Sequence, residues 1–203
     1  MFMKTPRLVV SSTLLALLVL SAGQAMAQKK HPMGAAPKMT RAQKLAFAMS
    51  AAPPEIGRHA TVMDATDMSK PKQLRAGTNG WICYAMMLGN NKEAMCLDKQ
   101  WQNWAQAYLG KTEPKIEGTG IAYMLRGDNG ASNTDPYAMG PTADNQWVKT
   151  PPHIMVLYAD PKMLDSYPTD PKSGGPWVMW KGTPYAHVMV PVSPTKPPTM
   201  SSK

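Results

Sequence analysis

The sequence predicts an α+β fold: a single domain built on one mostly antiparallel β-sheet, with one principal helix, about residues 98–109, packed on a face of it. Three observations carry this expectation. Short apolar segments recur along the chain, bounded by Gly, Pro, Asn and Asp. Only one long segment has a strong helical period. The strands do not alternate regularly with helices, which argues against a doubly wound parallel sheet.

Residues 1–27 read as a secretory signal peptide. Lys4 and Arg7 supply the positive start, Leu8 to Leu20 the apolar stretch, and Ala25-Met26-Ala27 the small-residue cleavage site. The apolar stretch is shorter than the roughly 20 residues that span a bilayer. The expected mature chain starts at Gln28, is periplasmic or secreted, and has no transmembrane segment. Residues 28–54 form a basic leader rich in Pro, Ala and Met. Within it Thr40 is placed to cap a short helix whose apolar side is Ala42, Leu45, Ala46 and Met49. The globular domain is expected over 55–192, and the proline-rich end, 193–203, as a disordered tail.

Within the domain, 59–63 and 74–76 are short strand candidates. Trp81–Met87 is a stronger one, entered through the turn Gly77-Thr78-Asn79-Gly80. Asp98 caps the helix, and Gly110 ends it. Trp101, Trp104, Ala105, Tyr108 and Leu109 follow the i, i+3, i+4, i+7, i+8 pattern of a buried face. Further strands are expected at 121–125, 153–158, 177–180 and 186–190. The last two are joined by Lys181-Gly182-Thr183-Pro184, a run suited to a hairpin turn. A long polar loop, 126–136, lies between.

Lys and Arg number 22 against 13 Asp and Glu, a net charge of +9. Much of the excess sits near the start: Lys29, Lys30, Lys38, Arg41, Lys44 and Arg58 face Glu55 alone over residues 28–58. A nucleic-acid binder carries its charge as a patch on the folded body, so no nucleic-acid partner is expected. The two cysteines, Cys83 and Cys96, read as one disulfide in an oxidising compartment, because C-x-x-C spacing is absent. In the chain-entropy model such a loop contributes about 3 kcal/mol.

Several segments, NGWIC at 79–83, MCLD at 95–98, WQNW at 101–104, SNTDPYA at 132–138 and VMWKGTPYAHVMVPV at 178–192, together resemble a group of small exported bacterial proteins. The resemblance runs from about Ala60 to Val192. It implies bacterial export and one compact domain, and it implies no activity, cofactor or catalytic residue.

Methionine is the compositional oddity, with 18 in the chain. Met is first of all a flexible core filler. Three of the four histidines, however, occur as His-x-Met: His31-Pro32-Met33, His153-Ile154-Met155 and His187-Val188-Met189. On a strand, residues i and i+2 share a face. Were the strands at 153–158 and 186–190 neighbours, His153, Met155, His187 and Met189 would offer a soft-metal site suited to copper as Cu(I). The competing reading places these residues in the core.

The loop 126–136 gathers oxygen ligands of the kind calcium takes, without the spacing of a calcium loop. Its Arg126-Gly127-Asp128 spells an adhesion tripeptide and is read as coincidence. Ser132, Asp160 and either His153 or His187 match a hydrolase triad in type alone, since G-x-S-x-G is absent. Trp147, in a polar stretch, is the aromatic side chain best placed for an exposed, sugar-stacking role. The leading expectation is a non-catalytic envelope domain that binds an envelope component or a partner protein. Copper binding stands second and a small hydrolase third.

Intact mass tests processing and the bridge together. The exported protein should begin at Gln28 and have no alkylatable thiol until it is reduced. A retained residue 1–27 segment, or two free thiols, contradicts the reading.

Overall fold

The computed structural model describes residues 39–88 and 91–192, all within the compact unit Ala36–Lys203. The expected signal peptide (1–27), the expected leader up to Lys38 and the expected tail from Ser193 lie outside the described residues. Eight strands form one mixed, mostly antiparallel sheet: β1 (Thr61–Ala65), β2 (Lys72–Arg75), β3 (Ile82–Leu88), β4 (Asn91–Leu97), β5 (Gly120–Met124), β8 (His153–Leu157), β9 (Trp177–Met179) and β10 (His187–Pro191). Their order across the sheet is β2-β1-β3-β4-β5-β8-β10-β9. A separate two-stranded ribbon pairs β6 (Ala131–Ser132) with β7 (Trp147–Val148). Among the described residues, no helix is long and apolar enough to cross a membrane.

The α+β expectation holds, with one departure. β1 and β3 are parallel, while β2 lies outside β1 and antiparallel to it. The chain therefore passes around the start of β1 between β2 and β3. Thr78 N–H donates to the His59 carbonyl, and Thr61 N–H to the Trp81 carbonyl. Gly77 makes this passage possible: a Cβ there would sit 2.1 Å from the Thr61 nitrogen.

The principal helix, α3 (Lys99–Gly110), forms where its period requires. Asp98 Oδ1 accepts from Trp101 N–H at 2.9 Å, and its Oδ2 accepts from Ile121 N–H at 2.5 Å. One carboxylate thus caps the helix and ties it to β5. Gly110 ends the helix, and Lys111 takes the left-handed conformation (φ 52°). β4 escaped the sequence reading because Glu93 and Ala94, adjacent in the strand, are both buried, which breaks the alternation of the segment.

The two sheet faces are filled differently. One face carries Val62, Cys83, Ala85, Ala94 and Cys96, small side chains that let α1 (Arg41–Met49) lie close, with Ala48, Ala51 and Ala52 buried against them. Cys83 and Cys96 are register partners on β3 and β4 and are joined by the disulfide. Farther along the same face, Val178 and Val188 pack with Leu164 of the 3₁₀ helix Pro161–Ser166. The opposite face, under α3, holds Leu97, Ala122, Met124, Met155, Leu157, Met179 and Met189 with Trp101, Trp104, Trp177 and Tyr185.

This corrects the expected boundary at residue 55. α1 is part of the domain, not of a leader. Its capping box is complete, with Thr40 Oγ1 accepting from Gln43 N–H and Gln43 Oε1 accepting from Thr40 N–H. Lys44 Nζ reaches Asp64 at 2.6 Å, and Arg41 donates to the Leu74 carbonyl. A marginal helix becomes stable by burying one face on the sheet. The following short helix, α2 (Pro54–Gly57), continues this layer. A chain lacking everything before Pro53 should lose on the order of 3–5 kcal/mol, since each large apolar side chain buried is worth about 1.5–3 kcal/mol. Urea midpoints of chains starting at Gln28 and at Pro53 check this; equal midpoints would exclude a structural role for α1.

Candidate functional site

The segment Ser132–Ala138 leaves β6 and is held almost entirely by its own polar groups. Ser132 Oγ donates to the Asn145 carbonyl at 2.8 Å and accepts from the amides of Thr134 and Asp135. Asn133 is buried; its amide donates to Gln146 Oε1 and the Thr169 carbonyl, and its Oδ1 accepts from Trp177 Nε1 at 3.1 Å. Trp180 Nε1 donates to the Ser132 carbonyl at 2.6 Å, and Trp180 N–H to the Asn133 carbonyl. These bonds use up Ser132 and Asn133 in fixing the loop to β9. Ser132 has no hydrogen bond to either His153 or His187, so the triad expected from residue types is not assembled. Beside Asn133 a surface cleft of about 270 Å³ is lined by Thr134, Gln146, Thr169, Val178 and Lys181.

The rest of the polar loop is spent likewise. Asp128 Oδ1 accepts from the amides of Gly130 and Thr150 at 3.0 and 2.8 Å. Asp135 Oδ1 accepts from Tyr137 N–H, the bond of an Asx turn. Asn129 donates to the buried Glu93 from both its backbone and its side chain. Burial pushes the Glu93 carboxyl up, against those two hydrogen bonds. Among the described residues, no three His, Cys, Asp or Glu converge as a metal shell.

From this loop an aromatic array runs out to the surface. Trp104 and Trp180 stack at 5.9 Å with planes 6° apart, Trp104 and Tyr108 at 5.2 Å and 4°, and Tyr108 and Tyr137 at 5.2 Å and 12°. Tyr185 stands at 83–86° to Trp104, Tyr108 and Tyr137, closing the array edge-on. Offset stacks and edge-to-face contacts are the favoured geometries for such rings. Tyr108 hydroxyl donates to the Pro136 carbonyl at 2.7 Å, which locks helix to loop. Tyr137 is 39% exposed, and Lys111 Nζ lies 5.2 Å from its ring centre. Trp147 is not the exposed ring: it is half-buried, with its indole so close over Gly130 that a Cβ there would meet it at 2.2 Å.

The four residues expected as metal ligands lie on adjacent strands and on one face. Met155 is directly opposite Met189. His153 and His187 flank that pair at opposite ends, four residues apart in register, on the order of 13 Å along the strand direction. All four are buried. His153 Nδ1 bonds to the Pro151 carbonyl at 2.7 Å and His187 Nδ1 to the Tyr185 carbonyl at 3.0 Å. A carbonyl only accepts, so each Nδ1 carries the hydrogen and each Nε2 keeps its lone pair. The register also brings in two methionines that period-2 reading of single strands misses: Met124 opposite His153, and Met179 opposite His187. Only the strand order reveals them. The third His-x-Met, at His31, lies outside the described residues.

Comparison of the chain with protein-family models, with curated proteins and with solved structures finds no match.

His187 sets a pH dependence. The edges of Trp101, Trp104 and Trp180 surround it at 5.1–5.8 Å between ring centres. Burial holds its imidazole down to about 4, with the bond to the Tyr185 carbonyl opposing that shift and His153 adding slightly to it. The unfolded chain, with His near 6.5, takes up this proton first. Stability is therefore full above about pH 6.5 and falls as pH drops toward 4, by on the order of 3 kcal/mol. Urea midpoints measured between pH 7 and pH 4 should show this slope, and His187→Gln should flatten it. An unchanged slope in the variant contradicts the assignment.

Proposed function

We propose that this chain is an exported bacterial envelope protein, kin to the small exported proteins it resembles, whose role is to bind a partner protein rather than to catalyse a reaction. The observation that carries this reading is the exposed apolar surface built on the aromatic array. Leu109 (67% exposed), Tyr137 (39%) and Met139 (98%) are three of the few large hydrophobic side chains that face solvent among the described residues. Leu109 follows Tyr108 at the end of α3, and Tyr137 stacks on Tyr108. An exposed aromatic ring stacked from beneath by Tyr108 and with the Lys111 cation over it has the makeup of an interface centre. Rigid backing lowers the ordering cost of binding.

Export belongs to the same reading. Residues 1–27 have the order of a secretory signal, and the Cys83–Cys96 disulfide suits an oxidising compartment. A partner of the envelope follows from that location, and nucleic acid does not enter it.

The test is site-specific photo-crosslinking at positions 109, 137 and 139 in cells that export the protein. These positions should trap one common partner, and Tyr137→Ala should weaken its binding by about 30-fold or more, the loss typical of a central anchor of about 2 kcal/mol. Crosslinks that scatter, or a Tyr137→Ala protein that binds unchanged, would overturn the proposal.

A further inference from the structure

The α3 face of the sheet concentrates soft donor atoms beyond those of the His-x-Met pairs. Met124 is opposite His153, Met155 is two residues from His153 on its own strand, and all three side chains are buried. The two histidine corners differ. Around His187 three indole rings close in. At His153 the Nε2 atom is fully buried with no hydrogen-bond partner, and so is Thr150 Oγ1, three residues away in the chain. A buried polar group left unmatched is costly, and one held in a single tautomer by a backbone carbonyl is prepared for another ligand. Asp128 Oδ1 accepts from the Thr150 N–H at 2.8 Å, which pins the start of this segment to the loop before β6.

We propose that His153, Met124 and Met155 form a binding site for Cu(I), with the His153 Nε2 lone pair and two thioether sulfurs as ligands. Thioether and neutral imidazole suit a soft monovalent ion and offer little to Zn²⁺ or Ca²⁺. The cysteines do not compete, because their sulfurs are joined in the disulfide on the other sheet face. A single positive charge is also the charge this place tolerates. The three donors are neutral, so a divalent ion would leave more charge uncompensated in an apolar setting than a monovalent one. The Pro151 carbonyl, by fixing Nδ1–H, is the outer contact that orients a ligating imidazole. Met124 thus takes the place that the sequence alone assigned to the His187 and Met189 pair. The site is separate from the partner surface at Tyr137, and either can fail without the other.

The exported, disulfide-bonded protein is titrated with Cu(I) in ascorbate against a chromophoric Cu(I) chelator. A parallel titration with Ag(I) is followed by ¹³C-methyl NMR of the methionines. One equivalent should bind, with the Met124 and Met155 methyl resonances shifting and copper absorption spectra reporting both sulfur and nitrogen neighbours. Met124→Leu and Met155→Leu conserve volume and so keep the fold. Each should weaken Cu(I) binding by at least the roughly 10–100-fold that loss of a mere outer contact costs. His153→Gln should do the same, while His187→Gln leaves affinity unchanged. Three results overturn the proposal: no competition with the chelator, full affinity in the folded Met→Leu variants, or Ag(I) shifts confined to the exposed Met68, Met139 and Met163.

Discussion

The face of the sheet beneath α3 must bury side chains that carry polar atoms into apolar surroundings, and the rest of the molecule is arranged around that requirement. Trp101 and Trp104 lie over it from a helix that Asp98 fixes at both its first turn and β5. Both indole N–H groups are buried without a hydrogen-bond partner. Burial disfavours the charged form of His187 beneath them and of His153 at the opposite end of β8. Methionine fits this setting because its thioether is apolar enough for a core and polarizable enough to sit against aromatic edges. The same property makes a thioether a ligand for soft ions, so a Met-rich core and a metal site are not opposed in composition. They differ only in whether a lone pair is left without a partner.

The opposite face obeys a different rule. Ala48, Ala51, Ala52, Ala85 and Ala94 let α1 approach the sheet closely, and the disulfide lies under it between paired strands. Close approach of small side chains forms a tight layer with little polar content. One face is thus closed over by small side chains, and both buried histidines lie on the other. The loop from Arg126 onward crosses to that other face, and its side-chain oxygens serve turns and strand ends. Polar composition in a long loop therefore measured what the loop needs for its own backbone, rather than what it offers a ligand. The aromatic array extends from this face to the surface, and Trp104 and Trp180, within that array, also stand edge-on to the buried His187.

The helix at 98–110 was legible because cap, period and stop agree. Most strands were legible within a residue or two, since apolar runs bounded by turns mark them well. β4 was not: its buried carboxylate, Glu93, finds its partner in Asn129, 36 residues away, and no local pattern announces that. α1 read as a marginal helix in a leader because its burial depends on β1, β3 and β4, all later in the chain. Trp147 read as the exposed ring because its neighbours are polar, yet Gly130 offers it a flat seat.

Sequence alone determined residue chemistry and local order: where most strands of the sheet lie, where α3 begins and ends, that the two cysteines of a chain read as exported would pair, and that His153 with Met155, and His187 with Met189, lie at face-sharing positions. Tertiary structure decided which of these meet. Strand order brought Met124 to His153 and Met179 to His187, and separated the two histidines along the Met155–Met189 pair. It also stacked Tyr137 on Tyr108 across 29 residues of chain. The physical reason is that periodicity specifies the face a side chain takes, which is a local property. The neighbour across a strand pair is set by register and strand order, and these depend on burying the whole apolar surface at once.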